Sequence, residues 1–490
     1  MSASLASLMY AFIGLPLLAV AGLNLAGRRL TRRICQSLGV FVGLAQMAVA
    51  VISQLLLLQY HKSSVSFSEF WDMTLADGAA YLRVDTFSLI ALFCVGLAVT
   101  AAFLLKWFDS ERNAFNFTNM ALLLMLGLNG AALVTDLFSL YIFIEISGLC
   151  SYTLTALYRD ERGLEGGFKQ LIMGALASAL ILMGLAFMFM ESGSLRYDAL
   201  AQFYAEELPL PILDHLAFLF LISGIGLKAG LVPFHFWLPD AYEGAPAPVA
   251  VLLSGAATQM IGTYALIRIM GELKAMTADP VANMILLLLG LLTIFVGALG
   301  ALGQQDLKRC LAYSVISQLG YIVLGVSCGN VFGFVGAILH FFTLSLGNTV
   351  LFLDAAAVSL SAGTTDMLRL GGLQKQMPVV GITNLIAFLS NAGLPPTVGF
   401  WSKLLIIIAV WQSGSGFIAG LALVSGILTV ACFLRVQNKV FFGPDVEELS
   451  AVSGPRGGIA VSSLTLSGMI ILAGLLIPFL LRMLQARGLF

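Results

Sequence analysis

The sequence predicts an all-α polytopic membrane protein of about 14 transmembrane helices, with two inverted five-helix repeats that each contain a broken helix. Three observations predict this. The composition is too apolar for a water-soluble fold. Apolar runs of membrane-spanning length recur from end to end. A short motif of glycine, proline and paired aromatics occurs twice.

Of the 490 residues, 59% are hydrophobic and 10% charged, whereas ordinary soluble domains carry about 25% charged residues. The net charge of −1 provides no field that would draw nucleic acid or acidic lipid, so no nucleic-acid partner is expected. Cys35, Cys94, Cys150, Cys310, Cys328 and Cys432 contain no CxxC pair and most lie in apolar runs; they read as small buried hydrophobes. His61, His215, His235 and His340 show no metal-binding spacing, and no GxGxxG or GxxxxGK[ST] loop occurs. No metal and no cofactor is expected on this chain. The 34 phenylalanines and 18 methionines read as membrane packing, not as a cofactor box.

A span needs about 20 mostly apolar residues. The first three runs lie near 4–27, 36–59 and 85–105 and make up an N-terminal segment, 1–112. The run at 4–27 has neither a preceding basic region nor a clear cleavage site, so it reads as a first span and not a removed signal. Runs four to eight, near 115–135, 137–158, 168–190, 212–232 and 245–271, fill a first repeat over 113–275. The seventh stops at Pro233 and leads into a short amphipathic stretch, His235 to Glu243. Runs nine to thirteen, near 282–302, 310–328, 331–360, 379–411 and 416–441, fill a second repeat over 276–442. The run at 379–411 is too long for one span and contains Pro395 and Pro396, so it reads as one broken helix. The last run, near 458–481, lies in a C-terminal segment, 443–490.

Basic residues set the orientation. With the N-terminus outside, 16 of the 25 lysines and arginines fall on inner loops, among them Arg28, Arg29, Arg32, Arg33, Lys106, Arg159, Lys308, Arg309 and Arg435. Seven fall outside: Lys62, Arg83, Arg196, Arg268, Lys274, Arg482 and Arg487. An even number of spans then puts both termini outside. The acidic loop at 191–215, with Glu191, Asp198, Glu206, Glu207 and Asp214 against Arg196, agrees.

The repeated motif is Ala229-Gly230-Leu231-Val232-Pro233 followed by Phe236-Trp237, and Ala392-Gly393-Leu394-Pro395-Pro396 followed by Phe400-Trp401. The copies lie five spans apart, and an odd offset makes them cross in opposite senses. Inverted repeats with broken helices are a transporter arrangement, since unwound backbone at membrane depth is tolerated only where protein or a polar cavity satisfies it.

Glu145, Lys228 and Lys403 lie inside apolar runs. A charge at mid-bilayer costs at least about 2.5 kcal/mol, and such groups usually face a bundle interior or a water path. A lysine and a carboxylate that titrate as a coupled pair can be moved between protonation states by a small structural change, which suits a proton relay. A static ion pair or a snorkelling lysine is the plainer alternative. His340 and His235 are weaker relay candidates. Gln318, Asn348 and Gln259 are polar and suit a hydrated path or bonds between helices. Asp354 reads as a helix-end or interface residue.

The stretch from Lys228 through Pro233-Phe234-His235-Phe236-Trp237-Leu238-Pro239-Asp240 to Tyr242-Glu243-Gly244-Ala245-Pro246-Ala247-Pro248 resembles the antiporter-like subunits of complex I, shared with multi-subunit cation/proton antiporters and membrane-bound hydrogenases. Asp306-Leu307-Lys308-Arg309, Ser317-Gln318-Leu319-Gly320-Tyr321 and Gly399-Phe400-Trp401-Ser402-Lys403 agree with it, so the resemblance covers about 115–410. It implies a fold of 14 spans with two inverted five-helix repeats. It also implies a switching ion pair of Glu145 with Lys228, and an outlet-side charge at Lys403. The chain departs from the pattern where Met260, with Gln259 beside it, replaces the usual lysine of the eighth span. Leu344 and Asn348 follow His340 where the eleventh span often has histidine and lysine, and Gln318 replaces a frequent histidine.

The expected function is a proton-translocating, antiporter-like subunit of a complex-I-related redox-driven pump (NADH:quinone oxidoreductase or hydrogenase type). The alternatives are a subunit of a secondary Na⁺/proton antiporter, and a degenerate subunit that mainly transmits motion or holds a complex together. Expected partners are other membrane subunits, peripheral iron–sulfur subunits and lipids, in a prokaryotic inner membrane. The chain ends soon after its last span and is therefore expected to lack the long lateral helix of the largest relatives.

Overall fold

The computed structural model describes residues 2–27, 31–60, 64–66, 82–108, 113–206, 210–273, 279–446, 449, 454 and 457–486. Of the charges used to set the orientation, Arg28, Arg29, Lys62, Arg112, Glu207, Lys274, Arg456 and Arg487 lie outside those residues, as does His61.

Thirteen helices among the described residues are long and apolar enough to cross a membrane. They are α1 (Ser2–Ala26), α2 (Arg32–Gln59), α3 (Thr86–Phe108), α4 (Ala114–Leu133), α5 (Leu137–Thr155), α6 (Glu161–Ser192) and α8 (Ile212–Ala229), then α10 (Ala247–Glu272), α11 (Pro280–Gly303), α12 (Leu307–Ser327), α13 (Val331–Ala362), α16 (Gly416–Phe441) and α17 (Gly457–Ala486). The 15-residue helices α14 (Pro378–Ala392) and α15 (Val398–Gln412) each reach only about 22 Å at 1.5 Å per residue. Neither crosses a core of about 30 Å alone; end to end they make the fourteenth crossing.

Two short helices complete the set. The acidic loop holds α7 (Tyr197–Glu206), and α9 (Trp237–Gly244) follows the seventh crossing. Besides helices, the described residues hold a small antiparallel ribbon, β1 (Ser64–Ser66) with β2 (Arg83–Asp85), ahead of α3, and three isolated β-bridges.

The chain forms two compact units. The first is Met1–Ala229 with Gly244–Asp279; the second is Gly230–Glu243 with Pro280–Phe490. In the first, α10 is buried along its whole span while α1, α2 and α6 present mostly exposed apolar side chains such as Leu18, Phe41, Leu176 and Met190. In the second, α12 is the most enclosed crossing, and α11, α16 and α17 carry the exposed apolar surface. Such exposure is ordinary where the surroundings are lipid or another membrane helix.

Helix ends follow local chemistry. Asp136, Asp306 and Asn330 cap α5, α12 and α13 by accepting from the backbone N–H three residues on, at 2.7, 3.0 and 2.8 Å. The seventh crossing ends at Ala229, four residues before Pro233, because Gly230 takes a left-handed φ of 75°. Gly393 does the same at 83° after α14. Both breaks contain a cis proline bond, Val232–Pro233 and Pro395–Pro396. The freed backbone at the first break is satisfied by Thr293 of α11, whose hydroxyl accepts from the Val232 N–H at 3.1 Å.

Candidate ion-translocation site

In the first unit the Asp136 cap fixes the start of α5, and Glu145 follows on the third turn facing α8. Lys228 occupies the last turn of α8 and is almost fully enclosed. Its Nζ lies 2.7 Å from Glu145 Oε1. The Ser178 hydroxyl of α6 donates to the same oxygen. Tyr141 and Tyr152 flank Glu145 on its own helix. The Glu145 carboxylate keeps 24% of its side chain exposed, while Lys228 keeps 2%. The pair is thus dry on the lysine side and open on the carboxylate side.

Small residues make this closeness possible. A Cβ on Gly224 of α8 would sit 2.7 Å from the Ala177 carbonyl of α6, and one on Gly184 would sit 2.8 Å from the Ala217 carbonyl. Behind Lys228, a Cβ on Gly262 would meet the Ala229 Cβ at 2.4 Å. Gly262 lies in a part of α10 wound as π-helix, Leu253–Ala257 and Gln259–Tyr264. Wider turns of this kind interrupt the regular ladder and are frequent at functional sites. There Gln259 donates to the Ser254 carbonyl of its own helix at 2.9 Å, and Met260 is fully buried.

The second unit holds its lysine differently. Lys403, on the first turns of α15, is buried with its Nζ 4.1 Å from the centre of the Tyr321 ring of α12. Among the described residues no carboxylate lies within ion-pair reach of it. The lysine stem rests on the bare Cα of Gly393, where a Cβ would meet its Cδ at 2.8 Å. His340 of α13 is enclosed beside it. Its Nδ1 lies 2.9 Å from Ser402 Oγ, its ring centre 5.8 Å from that of Tyr321, and the Gln318 backbone faces it. The Gln318 side chain is fully buried with no hydrogen-bond partner.

The structure therefore gathers Glu145 with Lys228 in one unit, and Lys403, His340 and Gln318 in the other. Asn348 stands apart and accepts from Asn391 of α14 at 3.0 Å. His235 lies between α8 and α9, half-buried, edge-on to Tyr313 at 6.1 Å. The exposed ring of Pro233 and the pair Pro395–Pro396 mark the breaks.

Two expectations need correction. Asp354 is not at a helix end; it is completely buried inside α13, against α14, and bonded to Thr383. Lys106 is not a loop charge, and Arg268, an outer-side charge by sequence, lies inside the eighth crossing. Arg268 is buried in the last turns of α10, where its two terminal nitrogens reach Asp85 at 2.6 and 3.0 Å and the Tyr264 hydroxyl closes the group. That guanidinium outweighs the effect of burial and holds the Asp85 carboxyl down at about 2. Lys106 is enclosed at the end of α3 against Tyr158 and Phe117. Sequence reasoning assigns no role to Ser178, Tyr321 or Ser402. Tyr321 and Ser402 carry a signal, as parts of the Ser317–Tyr321 and Gly399–Lys403 motifs; Ser178 carries none.

Residues 134–429 match the family described as NADH:quinone oxidoreductase/Mrp antiporter, TM. The chain belongs to this family. It is 32% identical over 411 residues to an Na(+)/H(+) antiporter subunit of Alkalihalophilus pseudofirmus, covering 82% of each chain. It is 35% identical to an NADH-quinone oxidoreductase subunit of Desulforudis audaxviator, over 72% of this chain and 70% of that one. Among solved structures, a chain of an archaeal membrane-bound sulfane sulfur reductase superposes with a TM-score of 0.85 at 26% identity, covering 97% and 95% of the two chains. A chain of respiratory complex I from Thermus thermophilus gives 0.76 at 27% identity, over 96% and 98%. The protein is an antiporter-like integral membrane protein of the family, with its fold of fourteen crossings, two inverted five-helix repeats and a break in each.

Proposed function

We propose that this antiporter-like protein translocates protons as one subunit of a membrane complex driven by redox chemistry, and that Glu145, Lys228 and Lys403 carry the charge movement. The observation behind this is the buried Lys228–Glu145 pair at 2.7 Å on two helices of the first repeat. Lys228 ends α8 next to the left-handed turn at Gly230, so a change at the break moves its ammonium relative to Glu145. Separation leaves each group with a different proton affinity, and the pair exchanges its proton with water on one side or the other. Lys403 and His340 form the corresponding charged centre of the second repeat. His235, Gln259 and Asn348 serve as lesser polar stations. No cofactor is assigned to the chain; the driving chemistry belongs to its neighbours.

Other membrane subunits are its partners, with peripheral iron–sulfur subunits in the redox-driven assembly and lipid over the exposed faces. We place the protein in a prokaryotic inner membrane with both termini outside, in keeping with the basic-residue bias. The 32% identity with an Na(+)/H(+) antiporter subunit over 82% of each chain supports a second reading, a secondary cation/proton antiporter without electron transfer.

The test is gentle extraction through a tag on this chain, mass spectrometry of the assembly, and proton uptake in proteoliposomes. Iron–sulfur proteins in the assembly and loss of uptake with Lys228→Ala are expected. An assembly of membrane subunits alone favours the secondary antiporter. Unchanged uptake with normal assembly removes Lys228 from the mechanism.

A further inference from the structure

Among the crossings of the second unit, Asp354 is the only carboxyl group inside a helix, and the mechanism above does not use it. It stands eight residues before the end of α13 at Ala362, about 12 Å along the axis. Its side chain is fully enclosed where α13 meets α14 and α17.

The nearest groups are the hydroxyls of Thr383 on α14 and Ser463 on α17. No lysine, arginine or histidine occurs on α14, or on α17 between Gly457 and Phe479. The charged or titratable groups on the other elements packed against α13 are Lys308, Arg309, Cys310, Tyr313 and Tyr321 of α12, Lys403 of α15, and Asp240, Tyr242 and Glu243 of α9, whose Tyr242 ring meets Phe352 edge-on at 5.3 Å. On α13 itself the nearest is His340, 14 residues or about 21 Å away.

Hydrogen-bond counting locates a proton. Thr383 Oγ1 is within reach of three oxygens: Asp354 Oδ2 at 2.9 Å, the Val379 carbonyl at 3.0 Å and the Val380 carbonyl at 3.1 Å. A hydroxyl has one proton to give and can also accept. The carbonyls can only accept. When the threonine proton goes back to its own helix, as it commonly does for threonine in a helix, the Asp354–Thr383 bond takes its proton from Asp354. An ionised Asp354 would have only neutral hydroxyls as donors, Thr383 at Oδ2 and Ser463 beside it. It would also have no cation beside it, an arrangement that costs several kcal/mol.

We propose that Asp354 is a proton-binding site. At rest Oδ2 carries the proton and donates to Thr383, whose own hydroxyl donates to the Val379 carbonyl. On release the Oδ2–H bond breaks and the proton passes to water. Thr383 then rotates to donate to the carboxylate. The Ser463 hydroxyl, buried with no partner at rest, is placed to turn and donate as a second group. Six residues back along α13, about 9 Å, the Asn348–Asn391 bond forms another polar rung on the same α13–α14 seam. Beyond it lie His340, Gln318 and Lys403. Asp354 thus supplies a titratable end to a line whose middle, Leu344 and Asn348, has none. This role on the line rests on the proton-translocating function proposed above; occupancy of the carboxyl by a proton does not.

The test uses the intact complex. Infrared spectra of wild-type and Asp354→Asn complexes are compared in H₂O and D₂O. A deuterium-sensitive carboxylic-acid C=O band is expected in the wild type and absent from the variant. Thr383→Val, which removes the accepting hydroxyl but not the acid, should shift that band, and it keeps the test decisive if Asp354→Asn does not assemble. Proton uptake should fall roughly tenfold or more in Asp354→Asn and recover in part with Asp354→Glu. Absence of an Asp354-dependent acid band overturns the proposal. So does loss of the band on adding Na⁺ at constant pH, which would make the site a cation site. Normal uptake in Asp354→Asn, with uptake lost in Lys228→Ala, removes Asp354 from the path while the proposed function stands. Normal uptake in both fails that function, and the spectra still decide whether Asp354 holds a proton.

Discussion

Removing one member of the Glu145–Lys228 pair has consequences that separate a relay from a static ion pair. At 2.7 Å the mutual attraction is about 6 kcal/mol with an effective dielectric constant near 20, before desolvation is subtracted. Breaking a buried pair from one side costs about 3–5 kcal/mol, because the surviving charge is left buried. Glu145→Gln leaves the enclosed Lys228 ammonium exposed to that full cost. Lys228→Met leaves Glu145, which keeps 24% exposure and a Ser178 donor and so loses less. The double variant leaves no orphan charge. The expected coupling between the two substitutions is therefore about 2–3 kcal/mol, read as apparent stability of the extracted complex in a thermal or denaturant scan. Uptake should follow a different pattern: both single variants and the double variant should fail to move protons, because restored packing does not restore titratable groups. Additivity of the stabilities within about 0.5 kcal/mol would refute the pair itself. Recovery of uptake in the double variant would refute the relay and leave a structural pair.

The remaining expectations come from the close contacts around the two lysines and from the buried corner at Asp85. Tyr321→Leu removes the ring 4.1 Å from Lys403 Nζ and should lower stability by about 1–2 kcal/mol and reduce uptake, whereas Tyr321→Phe keeps the ring and loses only the hydroxyl's bonds to the Ala422 carbonyl and Ser425, about 1 kcal/mol, with uptake retained. Gly393→Ala forces an L side chain to a φ of 83° and into the Lys403 stem, so a loss of about 1–2 kcal/mol or more is expected in the same scan. Gly262→Val wedges α10 away from Ala229 and should cost about 1–3 kcal/mol and impair uptake together. Asp85 titrates at about 2 when folded against 3.8 for the free group, because Arg268 and its other donors outweigh burial. A depressed carboxylate contributes fully above the unfolded value and loses its contribution as pH falls through the folded one. Asp85→Asn should therefore lower stability by about 2 kcal/mol at neutral pH, and the gap from wild type should close between about pH 4 and pH 2.

Much of the fold is legible in the sequence because a bilayer imposes few solutions. Apolar run length marks the crossings, and the paired Gly–Pro motifs mark both breaks, which the positive φ values of Gly230 and Gly393 account for. Cost marks Glu145, Lys228 and Lys403 as charges that must find a partner or water, but only the resemblance implies that Glu145 pairs with Lys228, and Lys403 has no counter-charge among the described residues. What stays hidden has no period. Ser178 sits in a run of small residues and becomes a ligand of Glu145 only through the packing of α6 on α5. The π-winding of α10 leaves no mark in composition. Lys106 reads as a loop charge and Arg268 as an outer-side charge because both fall within a few residues of the end of an apolar run. Only the folded chain shows that Asp85 and Tyr158 reach them. Asp354 misleads for the same reason: its place near the end of an apolar run suggests a boundary, but α13 continues for two more turns.

The two repeats stabilise their lysines by different physics, and this bears on how each can work. Lys228 has a counter-charge, so its environment can be altered by moving Glu145 or by moving the end of α8. A modest displacement changes an interaction that is large at 2.7 Å and falls with distance. Lys403 has an aromatic face and, among the described residues, no counter-charge. A cation–π contact is worth about 2 kcal/mol when desolvated, too little to offset the burial of a full charge. The second centre therefore depends on its hydration and on the groups within one side chain of it, His340, Ser402 and Gln318. A proton arriving there has no carboxylate to bind until it reaches the α13–α14 seam. Under the proposed function, that asymmetry suits the first centre to charge separation and the second to water entry beside the unpartnered amide of Gln318.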